Sequence, residues 1–196
     1  ILNPDTILHS STLENLLSVI KKIPDFAIIG PFVQEKKDEV YKNKNSNPLL
    51  VKNVKGFAMF LNMSEFNEIG FFDESFFIYF EEIDLCRRLI NNNKKIYLAP
   101  EVVIDHFGAQ SHDKKINEAM ELSRNWHWMW STFNYHKKYK GFIISLFIVF
   151  PKLLSSIFKV TIYSITLSKK KKIYYQRLSG LMNAILGKKS WYRPKV

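Results

Sequence analysis

The stretch Ile69-Gly70-Phe71-Phe72-Asp73-Glu74-Ser75-Phe76-Phe77-Ile78-Tyr79-Phe80-Glu81-Glu82-Ile83-Asp84-Leu85-Cys86-Arg87-Arg88-Leu89 decides how this chain is read. Its first half is dense in aromatic residues and reads as a buried strand, broken by Asp73-Glu74. Its second half reads as a helix, with Ile83, Cys86, Leu89 and Ile90 on one apolar face and Asn91-Asn92-Asn93 ending it. Glu81, Glu82 and Asp84 cluster where that helix starts. Acids at a helix N-terminus are favoured by the macrodipole, each by about 0.3–1 kcal/mol. Asp84 can also pair with Arg88 one turn on. For the cluster taken alone, this structural reading is the more economical one. The functional reading is that one carboxylate, walled by Phe76-Phe77-Ile78-Tyr79-Phe80, has a raised pKa and acts as a general base.

Working outward, strands and helices alternate, which points to an α/β domain. Upstream, Asn3-Pro4-Asp5-Thr6 is turn chemistry, and Thr12 and Glu14 open a helix with Leu13, Leu16, Leu17 and Ile20 at helical spacing. Pro24-Asp25 stops it. Phe26 to Ile29 reads as a buried strand ended by Gly30-Pro31. Residues 34–48 are rich in Lys, Glu, Asp and Asn and read as a surface loop or hairpin. Val54 to Met63 reads as a strand, and Gly56 within it suggests a bulge or the close approach of another backbone or a ligand. Ser64 to Gly70 reads as a short helix with a Ser N-cap. Downstream, Ile96–Leu98 and Val102–Ile104 read as short strands flanking Pro100. His106 follows them, beside Asp105 and Gly108. A lone His is more often structural than a metal ligand, and Asp5 alone is best read as an Asx-turn residue.

Taken in order, Asn3-Pro4-Asp5-Thr6, Gly56-Phe57-Ala58-Met59, the block from Ile69 to Leu89, and Pro100-Glu101-Val102-Val103-Ile104-Asp105-His106-Phe107-Gly108 are more specific than any of them alone. Together they resemble the family 2 glycosyltransferases, especially the bacterial rhamnosyltransferase-like branch that builds surface polysaccharides. The resemblance covers about residues 1–125. It implies the C-terminal portion of a GT-A domain, a Rossmann-like mixed sheet, and an inverting enzyme using a nucleotide-sugar donor such as dTDP-rhamnose. It assigns Asp5, in the position of the family's metal motif, to a divalent cation (Mg²⁺ or Mn²⁺) and the donor diphosphate, with Asn3 beside it. It makes His106 the second metal ligand, and it places Gly56, Phe57 and Ala58 along donor and acceptor. Glu82 is the first choice of general base, with Glu81 and Asp84 as its neighbours. The family's usual pair here is Glu-Asp, so the second Glu leaves the choice between Glu81 and Glu82 open. The family's nucleoside-binding half should precede Asn3-Pro4-Asp5. The chain opens Ile1-Leu2 with neither Met nor an apolar leader, and we read it as part of a longer protein that alone binds nucleotide poorly and turns over little.

The 196 residues carry one cysteine, Cys86, which excludes a disulfide framework or a multi-cysteine metal site and fits a reducing compartment. The net charge of +11 is uneven: residues 1–121 hold 14 Lys/Arg against 18 Asp/Glu, net −4, and residues 122–196 hold 15 Lys/Arg and no acid, net +15. The expected division is therefore a catalytic portion over 1–121 and a basic helical region over 122–196. In the latter, residues 117–136 read as a helix carrying Trp126, Trp128 and Trp130. Residues 142–150 and 153–167 are apolar, interrupted by Pro151, Lys152 and Lys159, and Tyr174 to Leu186 is amphipathic. Neither apolar run reaches the roughly 20 residues of a spanning helix. Helices lying on an anionic membrane surface at the cytoplasmic face, peripheral, suit the apolar runs and lysines best. Packing on the catalytic part or on another copy of the chain is the competing reading, so a homo-oligomer stays open. Nucleic acid is not expected, because long apolar runs are a poor match for a solvated face. The resulting expectation is a transferase acting on a lipid-linked saccharide acceptor. The alternative is a non-catalytic, membrane-associated binding or assembly module with the same fold.

Overall fold

The computed structural model describes residues 1–33, 47–108 and 114–194. The loop or hairpin read over 34–48 lies almost wholly outside the described residues. The fold is mixed α/β. It divides into two compact units, Ile1–Phe72 with Glu82–Ser111, and Asp73–Glu81 with His112–Val196. The expected boundary at 121/122 is thus replaced by one after Ser111, with residues 73–81 joining the second unit. Phe76 explains the excursion, since it packs in the same core as Trp126, Trp130 and Phe133.

The first unit is built on a sheet. Its elements run β1 (Thr6–Leu8), α1 (Thr12–Lys22), β2 (Phe26–Val33), β3 (Leu49–Leu50), β4 (Phe60–Leu61), α2 (Glu81–Asn91) and β5 (Lys95–His106). The strand order is β1-β5-β2-β4, with β3 also on β5. β2 and β5 pair in parallel and the other pairs are antiparallel. Phe26 to Pro31 are all buried, as a strand covered on both faces requires. β2 therefore does not end at Gly30-Pro31 but runs on to Val33. β5 is likewise a single 12-residue strand, not two short ones. Pro100 is tolerated because the register skips from Pro31↔Ala99 to Phe32↔Val103, leaving residues 100–102 unpaired with β2.

α1 covers one sheet face. Leu16 and Val19 pack with Phe26, Ile29, Ala99 and Val102. Thr12 Oγ1 donates to the Val103 carbonyl at 2.7 Å, and Asn15 Nδ2 donates to the Glu101 carbonyl at 2.8 Å. These bonds turn the stripe from Thr12 through Leu16 to Val19 inward, so Leu13 and Leu17, expected in the core, face solvent. α2 covers the other face, where Leu85, Cys86 and Leu89 meet Ala27, Ile28, Phe66 and Ile96. The strand expected over Val54–Met63 shortens to β4 plus a Leu2↔Ala58 bridge. The helix expected over Ser64–Gly70 is a 3-10 turn, Met63–Phe66, with Asn62 rather than Ser64 at its cap.

The second unit is helical: α3 (Asn117–Lys140), α4 (Phe142–Ile165) and α5 (Lys170–Ile185). Phe71 to Phe80, expected as a strand, is a chain of turns and bends. Among the described residues no strand pairs with it; Phe71 and Phe72 pack on the first unit's core, and Phe76 and Phe80 serve the helical core. Phe76 meets Trp130 edge-on at 6.4 Å, and Phe80 lies 5.0 Å from Tyr135. Asp73 anchors the turn by an ion pair to Lys138 at 2.7 Å and by accepting from the Ser75 amide at 3.0 Å. Burial pushes its carboxyl up, but those bonds outweigh burial and bring the pKa down to about 2.

His127 is buried in α3, and burial pulls its pKa down to about 4. Its Nε2 lies 2.7 Å from the Tyr192 carbonyl, so the neutral ring donates there. α5 lies hard against α3: a Cβ added at Gly180 would sit 2.2 Å from the Trp126 carbonyl oxygen. α4 is one continuous 24-residue helix with Pro151 inside it. At 1.5 Å per residue that is about 36 Å, long enough to cross a bilayer. Among the described residues it is the one helix long and apolar enough to do so. Most of it is bare, with Phe147 74% and Ile165 77% exposed.

Candidate active site

Glu82 is the second residue of α2. Its carboxylate lies against the helix's first amides, and the backbone N–H groups of Glu82 and Ile83 favour its ionised form. Burial is the larger effect and pushes the carboxyl above its usual range. Oε2 is buried and has no hydrogen-bond partner. The residue borders a cavity of about 480 Å³, together with Gly30, Val54, Lys55, Phe57, Ala58 and Ile83. The aromatic wall expected from Phe76 to Phe80 does not line this cavity. Its apolar lining comes from Pro31, Val33, Val54 and Ala58, with Phe32 and Phe57 as its aromatic members. Lys55 is exposed and contributes a cation to the lining.

Two glycines sit at close packing points by this cavity: Gly30 in its lining and Gly56 against Glu82. A Cβ at Gly56 would stand 3.2 Å from Glu82 Cβ, so any side chain there presses on the carboxylate's own stem. The close neighbour at Gly56 is a side chain, that of Glu82, rather than another backbone, and Gly56 lies outside any strand. A Cβ at Gly30 would meet Val54 Cγ1 at 2.4 Å. Gly30, Val54 and Lys55 were not singled out in sequence. The one available signal for Lys55 was a charge beside Gly56; Gly30 looked like a strand terminator.

The expected metal pair also meets in the first unit. Thr6 pairs with His106 in the β1–β5 ladder, and the Phe107 amide donates to the Asp5 carbonyl at 3.0 Å. Asp5 Oδ1 then lies 3.5 Å from His106 Nε2. That oxygen is buried and makes no hydrogen bond. Phe57 stacks on the His106 ring at 4.2 Å, and its carbonyl accepts from the Asn3 amide at 2.8 Å. Asn3, Asp5, Phe57, Ala58 and His106 therefore form one neighbourhood, and Phe57 and Ala58 continue it into the Glu82 cavity. Among the described residues no group of three or more His, Cys, Asp or Glu is placed to hold a metal. An orphaned carboxylate oxygen beside an imidazole nitrogen does fit two ligands of a hard divalent cation, with the remainder left to waters or a diphosphate.

One expected residue, Asp84, does not line the cavity. Asp84 is fully buried and ion-paired with Arg88 Nε at 2.9 Å. Arg88 in turn donates to the carbonyls of Ile69 at 2.7 Å, Gly70 at 3.3 Å and Phe71. The pair clamps the turn before the aromatic stretch and so positions α2. Glu81 directly precedes Glu82, as the first residue of α2. Comparison of the chain with protein-family models, curated proteins and solved structures finds no match.

Proposed function

We propose that this chain carries the acid–base half of an inverting glycosyltransferase with a GT-A-type fold. The observation that carries the proposal is Glu82, a carboxylate with one buried, unpartnered oxygen, bordering a roomy cavity and kept above the ordinary carboxyl range by burial. Such a group holds a proton more strongly than a solvated one and is suited to general-base work near neutral pH. Glu82 takes the proton of an acceptor hydroxyl while that oxygen bonds to the anomeric carbon of the donor sugar. The bond from that carbon to the diphosphate oxygen breaks on the opposite face, and the electron pair leaves with the diphosphate. One displacement inverts the centre, so one base suffices, unlike the paired carboxylates of glycosidases.

Asp5 and His106 are the residues that would hold Mg²⁺ or Mn²⁺. A cation there supplies Lewis-acid neutralisation of the leaving diphosphate. Gly56, Phe57 and Ala58 shape the space where donor and acceptor meet. Asp84 keeps α2 in place through Arg88. The donor sugar follows only the resemblance, which favours dTDP-rhamnose.

The test is transfer from nucleotide-sugar donors by protein that carries the nucleoside-binding residues the resemblance places upstream. Glu82→Gln is expected to lower the rate by about 100-fold or more, the range of a lost general base, with nucleoside diphosphate binding retained. Glu81→Gln is expected to act within a few-fold of wild type. A Glu82→Gln protein with wild-type transfer removes Glu82 from the chemistry.

The acceptor is proposed to be lipid-linked, with the chain on the cytoplasmic membrane face. The support is the bare apolar face of α4 within a region of net charge +15. Apolar insertion and lysine attraction to anionic headgroups act together there. Membrane fractions washed in high salt are expected to retain the protein, and detergent to release it. Full recovery in the soluble fraction with neither treatment contradicts this reading.

A further inference from the structure

The second unit has a cavity of its own, about 430 Å³, lined by Tyr79, Glu121, Arg124, Asn125, Trp128 and Arg177. Glu121, Arg124, Asn125 and Trp128 share one face of α3, at the spacing that stacks side chains along a helix. α5 supplies Arg177, whose Nε donates to Asn125 Oδ1 at 2.6 Å and whose guanidinium lies 5.1 Å over the Tyr174 ring. That fixes the fork while its two terminal nitrogens keep no partner among the described residues. Arg124 makes no hydrogen bond or ion pair among the described residues, and Glu121 is exposed and paired to neither guanidinium. Trp128 is 42% exposed, with the Tyr79 ring edge-on to it at 5.3 Å. Tyr79 and Phe80 both hold left-handed backbone, at φ 66° and 72°. Non-glycine residues rarely adopt this backbone, and such strain is found where a side chain must be held in place.

The available groups are nearly all donors: two guanidinium forks, a phenol and an indole N–H. Guanidinium forks match phosphate oxygens two at a time. We propose that this cavity is a binding site for a phosphoryl or diphosphoryl ester, with the Trp128 ring covering the group that carries the ester. A soluble ester and a lipid-borne one share this chemistry. The site lies in the second unit and uses none of the residues assigned to proton or metal chemistry, so its ligand class is independent of whether Glu82 is a base.

The test is titration of the full chain with inorganic pyrophosphate in the presence of a chelator, which removes any metal-dependent binding at Asp5 and His106. Saturable one-to-one binding is expected. Arg124→Gln should weaken it about ten-fold, the scale of a lost charge-assisted pair. Arg177→Lys, which keeps the charge and loses the fork, should weaken it by a smaller factor. Asp5→Asn and Lys170→Gln should bind as wild type does. Absence of saturable binding overturns the proposal. So does equal affinity in wild type and both arginine variants when their circular dichroism and melting match wild type. Vesicles of phosphatidylcholine with and without phosphatidic acid separate the two sources. Capture that needs phosphatidic acid, is competed by pyrophosphate and is weakened by Arg124→Gln assigns a lipid-borne ester. Pyrophosphate binding sensitive to Arg124→Gln, with vesicle capture insensitive to it, assigns a soluble one.

Discussion

An ionised Glu82 has exchanged water for the first amides of α2 and an apolar wall, and the exchange is unfavourable. Its folded carboxyl value therefore stands above its unfolded one. Below the unfolded value the group is protonated in both states. As pH rises through the folded value, the unfolded chain has already released the proton, and stability is lost. Glutamine keeps the shape without the charge. The melting temperature of Glu82→Gln is thus expected to pull ahead of wild type as pH rises above the ordinary glutamate value of about 4. A difference independent of pH would show that Glu82 ionises without strain. A gap that widens with pH marks Glu82 as a functional group held at a cost in stability, as sites with shifted carboxylates commonly are.

At the scale of elements, the helices were legible and the irregular aromatic stretch was not. α1 and α2 were foreseen because a 3.6-residue apolar period survives in sequence, and α3 was expected over 117–136. The exposed Leu13 and Leu17 show the limit of that signal. Which stripe faces inward was settled by Thr12 and Asn15 bonding to β5, a contact with residues far along the chain. Phe71 to Phe80 was read as a strand because aromatic density marks strands and helical cores alike. Its destination depends on α3, which comes well over thirty residues later. α4 was read as two pieces because Pro151 removes an amide donor; the helix tolerates one such loss when the rest of its ladder holds. Ser145, Ser156, Thr161 and Ser164 return their hydroxyls to carbonyls four residues back, which keeps those groups satisfied on a bare helix. The α3–α5 contact is the most exacting of these packings. Gly180→Ala sets a methyl against a backbone oxygen that cannot swing aside, and about 1–3 kcal/mol of destabilisation is expected from chemical melting. Gly187→Asn, at φ 72° with open space around it, is expected to be near neutral. Equal melting of the two variants would mean that α5 does not bear on Trp126.

For the whole molecule, charge and chemistry divide between the units. Asp5, beside His106, and Glu82, on its cavity, both lie in the first unit. Cations and bare apolar residues gather on α4 and α5. Asp5, Gly56, Phe57, Ala58, Glu82 and His106 were legible as a set because their order along the chain, rather than any single residue, carried the signal. Gly30, Val54 and Lys55 were not legible, since only the pairing of β2 with β5 and the packing of α2 bring them to the cavity. Asp84 was visible but its task was not: the Arg88 pair that fixes α2 could be read from spacing, while the carbonyls Arg88 reaches could not. The most direct measurement of the central claim is the pH dependence of kcat/KM for sugar transfer, in wild type and Glu82→Gln. The expected wild-type rate falls on the acid side through a pKa above the ordinary carboxyl range, because the base must be unprotonated. Glu82→Gln should be slow at every pH and lack that limb. A Glu82→Gln profile with the same limb and the same rate would place the base elsewhere.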